Sequence, residues 1–527
     1  MRTFGDLLHH LGSDPGREIL RFNGRGFSAG EVQQCVERLA RGLLAVGITK
    51  GDRVAVWLPN RPEWIFLEMA TALVGAILVP VNTRYQRNEL AHIITQSESS
   101  ALFLQAEFVG RSFVTEFTEL RGDTTASFPS LRTVVALGCR SESGVLDWDG
   151  FVALGASVPE PVLRAATARV SGDDPVCCIY TGGTTGFPKG ALLTHAAVLT
   201  TERHVGDIVR LDRTDRVLYG APLTSVFGCC NALIAAWTHD ACLVLLETFD
   251  PAASLETIQR DRCTVVYGVP TMFIMQLAHP ALSSTDCSSL RSGMIGGASA
   301  PVDLVHAIRD RLGIRDLLSG YGMTETCAVS TITRIGDDPA IVAETVGRPL
   351  PGVEVKILDP ATAGSAMTGT EGEICVRGGN VMVGYFNNPM ETKRALDDDG
   401  WLHTGDVGRI REDGNLQITG RTTDMFITGG FNVHPAEIEN LLFSHPAVKQ
   451  AQVVGVPDAR MGEVGMAFVE LNTGAHVSSE DLVAFCARAV AKYKVPRYFE
   501  FVSEFPVTPL GKIQKFRLKD MALNRLR

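Results

Sequence analysis

Tyr180-Thr-Gly-Gly-Thr-Thr-Gly-Phe-Pro-Lys-Gly190 concentrates three threonine hydroxyls, four glycines and one lysine in eleven residues. Glycines let backbone N–H groups come close to a ligand, hydroxyls donate to phosphate oxygens, and the lysine supplies a movable positive charge. The stretch has the chemical content of a nucleotide-triphosphate loop. It is not the Gly-Lys-Ser/Thr loop that opens directly into a helix, because Pro188 precedes Lys189 and Gly190 follows it. That excludes a kinase-type P-loop protein. Val176–Tyr180 reads as a buried strand, Ala191–Thr194 as a short extended run, and a helix is expected only from about His195. The loop should therefore join two strands and hold phosphates with its own donors.

A chain of 527 residues exceeds what one hydrophobic core usually supports, so two or more domains are expected. The net charge is −10, without a basic run, which disfavours a nucleic-acid binder. The twelve cysteines are scattered, with adjacent pairs Cys177-Cys178 and Cys229-Cys230 on apolar runs. There is no C-x-x-C and no H-E-x-x-H. The start, Met1 to Asp6, lacks the apolar core of a signal peptide. The most apolar window, Ile65 to Val81, contains Glu68 and falls short of a membrane span. These features predict a reduced, cytoplasmic setting.

Strand-like and helix-like runs alternate through the first part of the chain. Arg53–Leu58, Ala101–Leu104 and Thr133–Leu137 are expected strands, and Pro62 to Gly75 an expected helix with proline in its first turn. The alternation recurs from Val217 to Met294 and predicts α/β sheets covered by helices. After about Asp338, Val353–Leu358 and Gly372–Arg377 alternate polar and apolar residues, which predicts a small antiparallel β unit. From about Thr422 a further set follows: a helix over Ala436–Ser444, strands at Ala451–Val456, Ala467–Leu471 and Arg497–Val502, and a helix opened by Ser478-Ser-Glu-Asp481.

Four more clusters carry polar chemistry. In Gly320-Tyr-Gly-Met-Thr-Glu325 the tyrosine can lie against a purine ring, Thr324 can donate to a phosphate, and Glu325 can hold Mg²⁺, a hard cation that prefers oxygen. Trp401-Leu-His-Thr-Gly-Asp406 sets a carboxylate on a tight turn, a partner for paired ribose hydroxyls. Gly420 to Glu439 contains Arg421 and the pair Gly429-Gly430, and Thr508-Pro-Leu-Gly-Lys512 places a lysine on a turn near the C-terminus. Taken singly, each is equally a turn, a capping aspartate or a solvated charge.

As an ordered set, the five clusters resemble the adenylate-forming superfamily of acyl-CoA synthetases, firefly luciferases and peptide-synthetase adenylation domains. The resemblance runs from about Gly51 to Lys515 and is strongest to the acyl-CoA synthetase branch. It implies an α/β fold: a large N-terminal AMP-binding domain over residues 1–421, built of two α/β layers plus a small β-barrel, and a small mobile α+β C-terminal domain over 422–527. It also implies ATP, Mg²⁺ and coenzyme A as cofactors or co-substrates and a small carboxylic acid as the acid substrate. By similarity, Thr181, Gly182, Gly183, Thr184, Thr185, Gly186 and Lys189 would cradle the β/γ-phosphates. Gly297, Ala298 and Tyr321 would line the adenine slot, Thr324 would touch the α-phosphate, and Glu325 would bind Mg²⁺. Asp406 and Arg421 would fix the ribose side. Lys512 would bridge the carboxylate and the α-phosphate during adenylation, then withdraw while the Gly429-Gly430 face forms a tunnel for the thiol.

The sequence departs from that pattern in places. Gly182 stands where a serine is usual, Thr423 where the hinge carries Asp or Lys, and Phe431 where glutamate is common. Thr224 and Ser225 replace an aromatic residue and a histidine that shape the acyl pocket in many members. The expected pocket segments are Thr224–Cys230, Val269–Met272, Ile295–Ala298 and Tyr321–Val329, all largely small or apolar. The first contains no aspartate for an α-amino group, and an unpaired buried ammonium is costly. A fatty, alicyclic or aromatic acid is therefore expected. Two alternatives stay open: an acyl-AMP ligase loading a carrier protein, and a non-catalytic nucleotide-binding relative. The sequence does not set the oligomeric state, and a homodimer is compatible with it.

Overall fold

The computed structural model describes residues 1–122, 128–139, 144–181, 188–298, 300–359, 362, 364–422, 424–428, 431–433, 435–458, 460–490, 492–507 and 513–526. The chain divides into two compact units. One comprises Met1–Val342, Gly347–Glu354 and Arg377–Leu402; the other comprises Ala343–Val346, Val355–Val376 and His403–Arg527.

Two sheets build the first unit. In the larger, six strands run parallel in the spatial order Asp316–Tyr321, Ser292–Gly296, Val265–Gly268, Arg216–Tyr219, Cys242–Leu245 and Glu18–Phe22. Short antiparallel strands, Thr331–Ile332 at one edge and Arg25–Ser28 at the other, flank them. The second sheet runs Gly384–Tyr385, Lys189–Thr194, Pro175–Thr181, Ile77–Pro80, Arg53–Trp57, Ala101–Gln105, Thr133–Leu137 and Leu146–Asp147. It is parallel from Pro175–Thr181 onward and antiparallel at the end that carries the glycine- and threonine-rich segment. Parallel strands joined by helices are buried on both faces, which is why these runs read as continuous Val, Ile and Leu. The strands expected at Arg53, Ala101 and Thr133 form within a residue or two of those bounds.

The helix Pro62–Val74 is apolar all round, and every residue of it except Glu63 is buried. Such a helix belongs in a core rather than on a surface. It packs in one continuous cluster with Val54 and Leu78 of one sheet and Val217 and Leu243 of the other. The same core holds two carboxyl groups, Glu68 at 2% exposure and Glu202 at 0%. Glu202 accepts from Asn231 Nδ2 at 2.5 Å, while Glu68 Oε2 and Glu202 Oε1 have no hydrogen-bond partner among the described residues. Burial pushes both carboxyls well above the usual range, offset at Glu202 by the asparagine.

The second unit carries two sheets. Val353–Leu358, Gly372–Gly378, Leu402–Ile410 and Leu416–Arg421 form a four-stranded sheet, in which the last two strands are antiparallel. The other sheet contains Phe431–Val433, Phe426–Thr428, Gly462–Leu471, Val448–Asp458 and Tyr498–Phe501. Helices Pro435–Phe443, Ser479–Ala489 and Lys515–Arg525 accompany it. Ser478 and Asp481 make the reciprocal capping box read in the sequence. Among the described residues no helix is long and apolar enough to cross a membrane.

The buried acids predict an unusual pH profile. A carboxyl whose folded pKa lies above its unfolded value lends stability in full below the unfolded pKa, and loses it as pH rises toward the folded one. Chemical unfolding of Glu68→Gln against the parent between pH 5 and 8 should show the variant gaining up to about 1.4 kcal/mol per pH unit. Parallel pH profiles would mean that Glu68 is not held protonated.

Candidate functional site

The strands Pro175–Thr181 and Lys189–Thr194 form an antiparallel pair in which Tyr180 faces Gly190 and Thr181 faces Lys189. A side chain at position 190 would sit 2.5 Å from Cys178 Sγ, so the close approach requires glycine. Thr181 and Lys189 thus stand opposite each other where the glycine- and threonine-rich segment leaves and rejoins the sheet. Gly182, Gly183, Thr184, Thr185 and Gly186 lie outside the described residues. The next helix, His195–Val209, begins only after Thr194, whose Oγ1 caps it by accepting from Ala197 N–H at 3.2 Å. The two strands and the late helix start at His195 are as the sequence reading expected, and the phosphate-loop residues between the strands are among those left undescribed.

Glu325 lies beside this hairpin, in the one-turn helix Thr324–Thr326. Its carboxylate is 5% exposed. Oε1 accepts from Tyr385 Oη at 2.7 Å and from Thr181 Oγ1 at 3.3 Å. Its backbone carbonyl accepts from Met382 N–H at 2.8 Å. Two further contacts tie residues 382–386 to the second strand of the hairpin: Val383 N–H donates to Leu192 O at 3.0 Å, and Phe386 N–H to Gly190 O at 2.8 Å. The turn is tightly built. A side chain at Gly322 would lie 2.3 Å from the Ala328 carbonyl, and Cys327 and Ala328 both adopt positive φ, 52° and 77°. Two consecutive non-glycine residues in that region mark stored strain of the kind that clusters at working sites.

Gly297 and Ala298 follow the carboxyl end of the strand Ser292–Gly296, and both are exposed. The adjacent parallel strand ends at Tyr321, 8% exposed, with Gly296 registered against Gly320. The carboxyl ends of parallel strands are where open α/β sheets bind ligands. Nearby, Phe227 stacks on Tyr267 with ring centroids 6.1 Å apart and 20° between planes, and approaches Gly296. Phe227–Ala232 forms a π-helical segment, a local widening that frequently marks function. Thr224 Oγ1 is buried without a hydrogen-bond partner among the described residues.

Lys189 is not idle. Its Nζ lies 2.8 Å from Glu391 Oε2 and 4.8 Å from the centroid of the Tyr385 ring. The Lys189 hydrogen bond, joined by Arg394 at 2.5 Å, holds the Glu391 carboxyl below its ordinary range. Neither Glu391 nor Tyr385 stands out in the sequence. Their proximity to the hairpin arises from the short strand Gly384–Tyr385, which pairs with Lys189–Thr194 at Ala191 and Leu192.

In the second unit Asp406 and Arg421 face each other across two antiparallel strands, joined by an ion pair of 2.9 Å. Asp406 is 6% exposed, and its N–H donates to Thr404 Oγ1 at 3.1 Å. Glu439, deep in the helix Pro435–Phe443, accepts from Val453 N–H at 2.7 Å and pairs with Lys515 at 2.7 Å. Burial raises its pKa, and Lys515 offsets the shift. Thr423, Gly429, Gly430 and Lys512 lie outside the described residues, as does the side chain of Phe431. Val507 and Ile513, on either side of Lys512, pair as an isolated antiparallel bridge.

The family model described as AMP-binding enzyme matches residues 8–386, and that of the AMP-binding enzyme C-terminal domain matches residues 437–512. The chain is 37% identical to the 3-[(3aS,4S,7aS)-7a-methyl-1,5-dioxo-octahydro-1H-inden-4-yl]propanoyl:CoA ligase of Mycobacterium tuberculosis, over 96% of both chains. It is 35% identical to the mitochondrial medium-chain acyl-CoA ligase ACSF2 of Bos taurus, over 93% of this chain and 82% of that one. Among solved structures it is similar to the anthranilate CoA ligase AuaEII in complex with anthranoyl-AMP: TM-score 0.88, 28% identity, 99% of this chain and 97% of that one covered.

The Lys189–Glu391 pair competes with any anion that Lys189 would bind. A partly exposed pair of this kind contributes up to about 1 kcal/mol, roughly a fivefold effect on an equilibrium. Glu391→Gln should therefore bind a non-hydrolysable ATP analogue about two- to fivefold more tightly by calorimetry. Unchanged or weaker binding would show that the carboxylate does not hold the lysine back.

Proposed function

The chain belongs to the AMP-binding enzyme family, and we propose that it acts as an AMP-forming acyl-CoA synthetase. A carboxylate oxygen of the acid attacks the α-phosphorus of ATP, the bond to the β-phosphate oxygen breaks, and pyrophosphate leaves. The thiolate of coenzyme A then attacks the acyl carbon of the resulting mixed anhydride, and AMP departs with the bonding electrons. A carboxylate is a poor electrophile, and AMP is a leaving group that makes it a good one. Such chemistry asks a protein chiefly for positioning and charge neutralisation.

One observation carries this reading: Thr181, at the mouth of the phosphate hairpin, and Glu325, the carboxylate suited to a hard cation, meet at 3.3 Å. In the proposal Thr181, Thr184, Thr185 and Lys189, with the glycines between them, receive the β/γ-phosphates. Lys189 exchanges Glu391 for phosphate oxygens as ATP binds. Gly297, Ala298 and Tyr321 take the adenine, Thr324 the α-phosphate, and Asp406 the ribose hydroxyls, with Arg421 holding the aspartate in place. Glu325 supplies oxygen ligands to Mg²⁺, whose charge would offset that of the phosphates when bound. Lys512, carried by the segment 422–527, neutralises the carboxylate and α-phosphate as they join, and the Gly429-Gly430 face admits the thiol afterwards.

The acid is assigned to the fatty, alicyclic or aromatic class without an α-amino group. Thr224–Cys230 offers no carboxylate to pair an ammonium, and an unpaired one would be costly to bury. The relatives named above act on acids of alicyclic, medium-chain and aromatic type. All twelve cysteines are unbridged, which suits a reducing compartment such as the cytoplasm.

A pyrophosphate-release screen across such acids, with and without coenzyme A, tests the reading. Pyrophosphate should appear only with a suitable acid, and turnover should be sustained only when coenzyme A is present. Turnover supported by a carrier-protein thiol and not by coenzyme A would favour the acyl-AMP ligase instead. Two variants address the residue roles. Lys512→Ala should abolish acid-dependent ATP–pyrophosphate exchange yet retain thioester formation from supplied acyl-AMP; equal loss of both steps would contradict a lysine that serves one step only. Asp406→Ala should weaken ATP binding by about tenfold or more, a loss of roughly 1.5 kcal/mol or above for a charge-assisted contact, and unaltered nucleotide affinity would refute the ribose role.

A further inference from the structure

We propose that Glu373, Cys375 and His403 form a binding site for a thiophilic divalent ion of the zinc class, separate from the Mg²⁺ role assigned to Glu325. Glu373 and Cys375 are two apart on the strand Gly372–Gly378, so they project from the same face. His403 lies on the neighbouring strand Leu402–Ile410. One ligand atom from each, a carboxylate oxygen, Sγ and a ring nitrogen, lies within 4.8 Å of the other two. Nδ1 of His403 is 3.0 Å from Glu373 Oε2 and 3.7 Å from Cys375 Sγ.

Those separations fit a metal's coordination edges. Tetrahedral Zn²⁺, with bonds of about 2.0–2.2 Å to N and O and about 2.3 Å to S, holds its N and O ligands about 3.4 Å apart and its S and N ligands about 3.6 Å apart. The two edges at His403 Nδ1, 3.0 Å and 3.7 Å, therefore need adjustments of only a few tenths of an ångström, and the carboxylate-to-sulfur edge starts from no more than 4.8 Å. A second layer orients it: Gly405 N–H donates to Glu373 Oε1 at 3.1 Å, which leaves Oε2 toward the histidine. Cys375 is fully buried, whereas the His403 and Glu373 side chains are 29% and 23% exposed. The arrangement thus has a dry sulfur floor and a partly exposed side where water or a fourth ligand would complete the tetrahedron. The donor set selects the ion. Sulfur and imidazole suit zinc and its neighbours, whereas Mg²⁺ and Ca²⁺ take oxygen alone.

Co²⁺ titrated into the chelator-stripped full chain provides the test, because cobalt adopts zinc geometry and is coloured. The site predicts, at one equivalent, tetrahedral visible bands together with near-ultraviolet thiolate-to-cobalt absorption, both displaced by Zn²⁺. Cys375→Ser should lose the near-ultraviolet band and weaken Zn²⁺ binding by about tenfold or more, while Cys35→Ser, which alters a different thiol, should keep both. Absence of the thiolate band at one equivalent, or its survival in Cys375→Ser, would overturn the proposal. Should Cys375→Ser fail to fold by circular dichroism, His403→Gln decides. It should retain the thiolate band with Co²⁺ affinity lowered by about tenfold or more, and undiminished affinity would be equally fatal.

Discussion

A single oxygen, Oε1 of Glu325, receives hydrogen bonds from Thr181 and Tyr385 and so joins three segments that are distant in sequence. A carboxyl group at 5% exposure is costly to bury without such donors. Leaving a buried polar group without a partner costs roughly 1–3 kcal/mol, so the arrangement is preferred over one that leaves the carboxyl alone. The positive φ values at Cys327 and Ala328, and the glycine demanded at position 322, follow from the tight turn that presents this carboxylate. Strain at the turn and hydrogen bonds at its acidic residue belong to one design.

The sheets explain why the design stands where it does. Parallel strands end together, and the loops that follow them share one edge. Gly297, Ala298 and Tyr321 come to that edge from neighbouring strands of one sheet. The hairpin is the antiparallel exception in the other sheet, and its register brings Thr181 opposite Lys189. Lys189 is paired with Glu391 and lies close to the Tyr385 ring. A half-buried cation keeps a partner, and in the proposed function ATP binding exchanges one anion for another at Lys189.

Much of this was legible in the sequence, and the rest was hidden for a physical reason. The strands that flank residues 182–187, the late helix start at His195 and the Ser478–Asp481 capping box depend on local chemistry, and local chemistry is written along the chain. The family was legible because five polar clusters keep their order. Glu391 and Tyr385 were not, since they gain meaning only from contacts spanning 202 and 60 residues. Asp406 and Arg421 were both assigned to the ribose side from separate clusters, and strand register is what makes them an ion pair. Cys375 looked like an ordinary apolar position in an alternating strand, and only the pairing of strands sets His403 beside it. Glu68 was noted for interrupting an apolar window, while its raised pKa follows from helix burial that no window reveals.

The account turns on the formation of a mixed anhydride between an organic acid and AMP. Isotope transfer reports that bond directly. If a substrate acid labelled with ¹⁸O in both carboxylate oxygens is converted with ATP and coenzyme A, mass spectrometry should find one ¹⁸O in the AMP released and none in the pyrophosphate. Unlabelled AMP, or label in inorganic phosphate accompanied by ADP, would mean that the carboxylate never attacked the α-phosphorus and would contradict the account.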